Sequence, residues 1–421
     1  MWETLRNAWR VPELRKKILY TFLMLLLYRL VGVIIAPGID YNAVKSAAQG
    51  SMAALPIFEM MNMLTGSQLS QMTLMAMGIT PYINASIIMQ LLTIAIPALE
   101  RLSKEGKEGQ DKINRISRYV TIGLAVVQAI GIAAGLRVIK PGWYNYALVG
   151  LSMAGGTALA MWIGERITEK GIGNGISLLI FAGIISNLFN GYVRMFGGAF
   201  TATTITPWVN LLGTVVATLL IITVVTFVEL GERRIPVQYA KRVVGRKMYG
   251  GQSTHIPMKV NSTGVLPLIF AQSFLMFIPT IIQLVARGSA ADVWIQANMT
   301  STGWLYNVLV FLLIIAFTYF YKSISFNPQD ISKNIQQQGG LIPGIRSGKA
   351  TVDHLSRISN RLTLFGALFL GILATVPTFL LQLGLQIPFA ASSMLIAVSV
   401  ALETTREVES QLITRNYKGF L

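Results

Sequence analysis

The sequence predicts an all-α membrane protein, and three observations carry that expectation. Of its 421 residues, 53% are hydrophobic and only 13% are charged, a balance outside the range of ordinary soluble domains. Ten apolar runs approach the ~20 residues that cross a bilayer; they lie at about 18–36, 72–97, 119–139, 146–163, 175–193, 209–228, 264–286, 304–325, 362–383 and 387–402. Basic residues crowd into alternate connecting segments, as the positive-inside rule requires.

The first run follows Arg15, Lys16 and Lys17, as a signal peptide would. It is long for one and has no small-residue cleavage site before Asp40, so it reads as the first span. The amino tail and the segments 98–118, 164–174, 229–263, 322–361 and 403–421 hold 5, 6, 2, 7, 6 and 3 Lys or Arg. The opposite side holds Lys45, Arg137, Lys140, Arg194 and Arg287. Both termini are therefore expected in the cytoplasm. The chain has no cysteine, so it forms no disulfide.

Ten runs make two sets of five, and five crossings turn the second set upside down relative to the first. The expected organisation is two inverted five-helix halves, 1–193 and 209–421, joined by an external hinge loop at 194–208. Long cytoplasmic loops are expected at 229–263 and 326–361. Such repeats place a working site between the halves near the bilayer midplane.

All 18 acidic residues lie in loops or at span ends. That argues against proton coupling through a membrane-embedded carboxylate, while sodium coupling through backbone carbonyls stays open. Signatures for zinc hydrolysis, an α/β-hydrolase nucleophile and a P-loop are missing, so no enzyme and no cofactor are expected. His255 and His354 sit in separate loops without ligand-type neighbours and receive no role. Arg29 falls inside the first run. There a charge costs roughly 2.5–3.5 kcal/mol on insertion scales, so it should pair with a helix end or a partner subunit.

Residues 232–260 carry a different pattern. Ile235, Val237 and Tyr239 alternate with other side chains, as do Ile256, Met258 and Val260, which is the period of a strand. Between them lies a glycine-punctuated tip with Lys241, Arg242, Arg246 and Lys247, and no acid occurs from Arg233 to Ala291. Two arms of about eight residues, at ~3.3 Å each, would raise the tip roughly 25 Å. Orientation and lipid contact need only a short basic loop. The reach suits docking to a large polyanion.

Two stretches are more specific. Thr73–Leu92, "TLMAMGITPYINASIIMQLL", and Trp162–Leu179, "WIGERITEKGIGNGISLL", match position by position the two signatures of the SecY family of protein-conducting channels. The segments "RRIPVQYAKR", "GGQSTHIPMKVN", "NPQDISKNIQQQGGLIPGIRSGK" and "ESQLITRNYKGF" extend the resemblance over nearly the whole chain. By itself "GIGNGIS" reads as a tight turn opening the fifth span, since no strand precedes it to make a phosphate loop. Departures are Ala390 and Ala391, where the family has glycines, and "TGSQL" after the external segment, where it has paired glycines.

The resemblance implies ten transmembrane helices around a central pore and a bacterial cell-membrane location. It implies passage of unfolded secretory proteins and lateral release of transmembrane segments into lipid. An inverted-repeat transporter of a small solute is the alternative. Matched to the family, Ile79, Ile83, Ile180, Ile269 and Ile396 form a constriction ring, although a stripe such as Ile79 and Ile83 by itself equally reads as core or lipid contact. The external stretch Leu55, Pro56, Ile57, Phe58, Glu59, Met60, Met61, Asn62, Met63 and Leu64 is too short to span and corresponds to a plug, with an interfacial helix as the plain reading. Gln90 and Gln272, on the second and seventh spans, face a lateral gate or act as ordinary interhelical glue.

Lys241, Arg242, Arg246 and Lys247, together with Arg346 between Gly344 and Gly348, would dock the ribosome and the motor ATPase SecA. Arg346 could instead cap the helix expected near Thr351. Further partners implied are SecE, SecG, precursors bearing signal sequences, and membrane lipid.

Overall fold

The computed structural model describes residues 6, 9–47, 62, 65–201, 205–239, 242–244, 247–249, 253–285, 289–290, 293–294, 298, 303–382 and 391–418. Helix α1 (Pro12–Val31) leads to a short α2 (Tyr41–Ala47). Then follow α3 (Thr80–Ala95), α4 (Pro97–Lys104), α5 (Lys107–Gly135), α6 (Trp143–Lys170), α7 (Gly175–Thr201) and α8 (Thr206–Leu230). Four strands come next: β1 (Glu232–Tyr239), β2 (Arg242–Val244), β3 (Lys247–Tyr249) and β4 (Ser253–Lys259). The remainder is α9 (Leu266–Val285), α10 (Trp304–Ser325), α11 (Pro328–Gln337), β5 (Gly340–Leu341), α12 (Lys349–Gln382) and α13 (Ala391–Lys418).

Each apolar run expected to span overlaps one of these helices among the described residues. Among the described residues, six helices are long and apolar enough to cross a membrane, or seven if the bent pair α3–α4 is one span. That pair turns by 101°. Pro97 at the start of α4 explains the break, because its ring disfavours a helical residue before it and it has no N–H to donate.

The run at 72–97 is only partly helical. Positions 66–79 form a series of turns, with left-handed backbone at Gly66, Ser67, Met72 and Gly78. Leu69, Met72, Met75, Ala76 and Met77 are nonetheless fully enclosed by protein. The segment survives because its backbone groups find partners: Leu74 N–H donates to the Ile34 carbonyl at 2.8 Å, and Ala36 N–H to the Met72 carbonyl at 3.0 Å. Non-helical backbone is tolerated at membrane depth only when protein surrounds it in this way. Gly156 of α6 makes the fit possible, since a Cβ there would lie 1.9 Å from the Leu74 carbonyl oxygen.

Small residues also govern the contact of α5 with α6. Ala125, Ala129 and Ala133 recur every four residues on one buried face, and Gly150 of α6 takes the Ile130 side chain where a Cβ would sit. Close backbone approach of this kind replaces the hydrophobic driving force that lipid cannot supply. Hydroxyls buried in the helices, such as those of Thr121, Thr218, Thr318 and Thr363, donate to the carbonyl four residues earlier.

Three apolar clusters map the division of the chain. One joins Leu69, Met72, Ala129, Val149 and Met153, from the first half. Another joins Ile221, Leu268, Ile314, Leu370 and Leu395, from the second. A third brings both halves together and includes Tyr28, Ile163, Leu179 and Ile396. The boundary differs in detail from the expected loop at 194–208, because α7 continues to Thr201 and α8 starts at Thr206. Phe196 and Phe200 on the end of α7 stack edge-on against Trp208 of α8, at 5.9 and 5.1 Å between ring centres, which favours the longer helix.

The strand pattern at 232–260 appears as a hairpin. β1 pairs antiparallel with β4 from Glu232↔Lys259 to Gln238↔Ser253, and β2 pairs with β3. β1 also pairs with β5 through Gln238↔Leu341 and Tyr239↔Gly340. Ile235, Val237 and Met258 face inward and pack on Ile335, Ile342 and Leu355, so the hairpin and the 326–361 region share one apolar core.

Candidate channel constriction, gate and docking loops

The five isoleucines named from the sequence come from four helices and meet in one cluster. Ile79 caps the start of α3, Ile83 lies one turn on, and Ile180, Ile269 and Ile396 belong to α7, α9 and α13. Ile79 and Ile396 are buried, and the other three are half-buried. A cavity of about 10 Å³ lies beside them, lined by Tyr28, Ile79, Thr80, Ile83, Leu179 and Ile180. That volume is near the lower limit for a single water, so α1, α3 and α7 pack tightly around these three isoleucines, Ile79, Ile83 and Ile180. Tyr28 and Leu179 were not singled out from the sequence. Leu179 stands next to Ile180 in an unbroken apolar run, which hides it, and Tyr28 is recognisable only by its packing.

Arg29 does not pair with a helix end. Its guanidinium donates to the carbonyl oxygen of Ala182, inside α7, and lies 5.8 Å from the centre of the Tyr28 ring. A carbonyl and an aromatic face can hold a guanidinium without a carboxylate.

On the side that bears the hairpin, a cavity of about 330 Å³ opens between α3, α5, α9 and α10. Gln90, Ser86, Thr93, Asn114, Phe270 and Tyr321 are among the residues that line it. Gln90 of α3 and Tyr321 of α10 line this cavity from opposite helices. Gln272 is half-buried on α9. Phe270 packs on Phe317 and Tyr321 at 5.6 and 5.8 Å between ring centres, fixing α9 on α10 by aromatic contact.

Of the basic tip, Arg242 and Lys247 lie in β2 and β3, while Lys241 and Arg246 fall outside the described residues. Arg346 is exposed, between Gly344 and Gly348 with φ of 81° and 95°. Its carbonyl, not its guanidinium, meets the start of α12, where Thr351 Oγ1 donates to it at 3.0 Å. The expected plug stretch lies outside the described residues except for Asn62, whose carbonyl accepts from Asn187 Nδ2 of α7 at 2.8 Å.

Two helical halves that share an apolar cluster, with a strand pair between α8 and α9, define a multi-pass membrane protein of channel architecture. Residues 73–405 match the model of the SecY family. The chain is 42% identical to the protein translocase subunit SecY of Streptomyces galbus, over 99% of this chain and 98% of that one. It is also 42% identical to that of Corynebacterium glutamicum, over 99% of both. The chain belongs to the SecY family. Its fold is similar to a solved protein-conducting channel, with a TM-score of 0.67 at 20% identity over 94% of this chain and 92% of that one. It is similar too to Sec61 in a canine ribosome–channel complex, with a TM-score of 0.63 at 19% identity over 94% and 92%.

Proposed function

We propose that this chain is the channel-forming subunit of a bacterial Sec translocase. It passes unfolded secretory proteins across the cell membrane and releases transmembrane segments sideways into lipid. The observation that supports this reading is that Ile79, Ile83, Ile180, Ile269 and Ile396, from α3, α7, α9 and α13, belong to one apolar cluster that draws on both halves. Branched alkyl groups offer water and ions no hydrogen bonds, so a narrow collar of them resists leakage. The same collar yields to an extended polypeptide by rotamer change. A solute transporter would instead need polar ligands at the midplane, and family membership sets that alternative aside.

The chain itself carries out no bond chemistry; direction and energy come from partners. The hairpin tip and Arg346 dock SecA or the ribosome, SecE and SecG complete the membrane complex, and both termini lie in the cytoplasm. The stretch 55–64 serves as the plug, and the α3, α9 and α10 surfaces around Gln90 and Gln272 form the lateral gate. Reconstitution with SecE and SecA tests the reading. ATP-dependent entry of a secretory precursor into the vesicles is the expected result. Its failure, joined to saturable uptake of a small solute, would return the transporter to favour.

A further inference from the structure

The hairpin stands on two glycines. Gly231 separates α8 from β1, and Gly264, with φ of 63°, follows β4 just before α9 begins at Leu266. Covalent connections through such residues bend easily. A load on the tip would therefore be lost as hinge motion unless something joined the two sides of the base. Two bonds do so. Val260 N–H donates to the Gly231 carbonyl at 3.0 Å, and Asn261 Nδ2 donates to Glu229 Oε1 at 2.7 Å.

The second bond has features that a surface contact lacks. Asn261 is only 4% exposed, and Glu229 is half-buried in the last turn of α8. Thr263 Oγ1 lies 3.5 Å from Asn261 Oδ1, in the sense that leaves the amide nitrogen directed at the carboxylate. No lysine or arginine forms an ion pair with Glu229 among the described residues. A buried, charge-assisted hydrogen bond is short and about twice as strong as a neutral one. From the third side, α12 brings Gly366 so close that a Cβ there would lie 3.1 Å from the Val260 carbonyl oxygen. The strand end is thus gripped by α8 and α12 at the point where the chain turns into α9, and Ile269 of the isoleucine cluster lies within the first turn of that helix.

We propose that Asn261 and Glu229 are positioning residues that link the docking hairpin to α9, so that a partner bound at the tip shifts Ile269 as well as the strands. The inference rests on the channel-and-docking reading above. In the closed state the link adds to stability only locally; its consequence is transmission.

The test uses the full chain reconstituted with its partner subunits, measuring SecA affinity for the vesicles beside SecA-stimulated precursor uptake. Asn261→Asp places a carboxylate against Glu229 and breaks the bond. It should leave SecA affinity within about twofold while stimulated uptake falls roughly tenfold, a loss in the range of one charge-assisted hydrogen bond. Adding Glu229→Gln to Asn261→Asp lets the new amide donate to the new carboxylate, and the double variant should recover uptake. A purely structural role predicts equal loss of affinity and uptake, and that result would overturn the proposal. So would full stimulation in Asn261→Asp, or no recovery in a double variant that binds SecA normally. If the unaltered chain showed no stimulated uptake, the channel reading would fall first and take this link with it.

Discussion

Ile83 is half-buried beside a cavity that barely holds one water, one helical turn from the buried Ile79. An amide at that position would add hydrogen-bonding groups among the alkyl side chains and would hold water in the cavity. Ile83→Asn is expected to raise ion conductance of resting vesicles by roughly an order of magnitude, whereas Ile83→Leu should leave it near its starting value. Equal leakage from the two variants would show that the isoleucines are ordinary core. Arg29 marks the limit of reading at this scale. Its cost in the membrane is visible from sequence, but its partner, the carbonyl of Ala182, lies 153 positions away and carries no side-chain signature.

At the scale of elements, the hairpin was legible because alternation is a local property. Ile235 and Val237 point inward as their period required, and β1 pairs with β4 through seven residue pairs. The core under the strands is built from Ile235, Val237 and Met258 on Ile335, Ile342 and Leu355, so reversing charge at the tip is expected to leave that core intact. Arg246→Glu with Lys247→Glu should weaken SecA or ribosome binding about tenfold or more at low salt, with the difference shrinking as salt screens it. Membrane insertion of the chain should be unchanged, and an unaltered partner affinity would remove the tip from the docking surface. Other elements were hidden. The turns at 66–79 are as apolar as the helix that follows, and composition does not report that Gly156 on a distant helix leaves room for them. β5 is two residues long and exists only because β1 already presents an edge to it.

For the whole molecule, the relation of the two halves was inferred from an odd number of crossings, and the third apolar cluster is where that inference meets the packing. What the sequence did not supply was which helices face one another across a cavity and which pack ring on ring. Gln90 faces Tyr321 across the cavity between α3 and α10, while α9 is held on α10 by rings. If sideways release requires α3 to part from α10 on the hairpin side, tying the two together should stop it. The native chain has no cysteine, so Gln90→Cys with Tyr321→Cys gives a pair that a short bismaleimide joins selectively. Cross-linked vesicles should lose insertion of a transmembrane segment by roughly tenfold, and the same double variant without the reagent should keep most of it, since polar contacts between membrane helices contribute only ~0.6 kcal/mol on average. Normal insertion in the cross-linked protein would mean that this seam stays shut throughout, and the lateral exit would have to lie elsewhere on the perimeter.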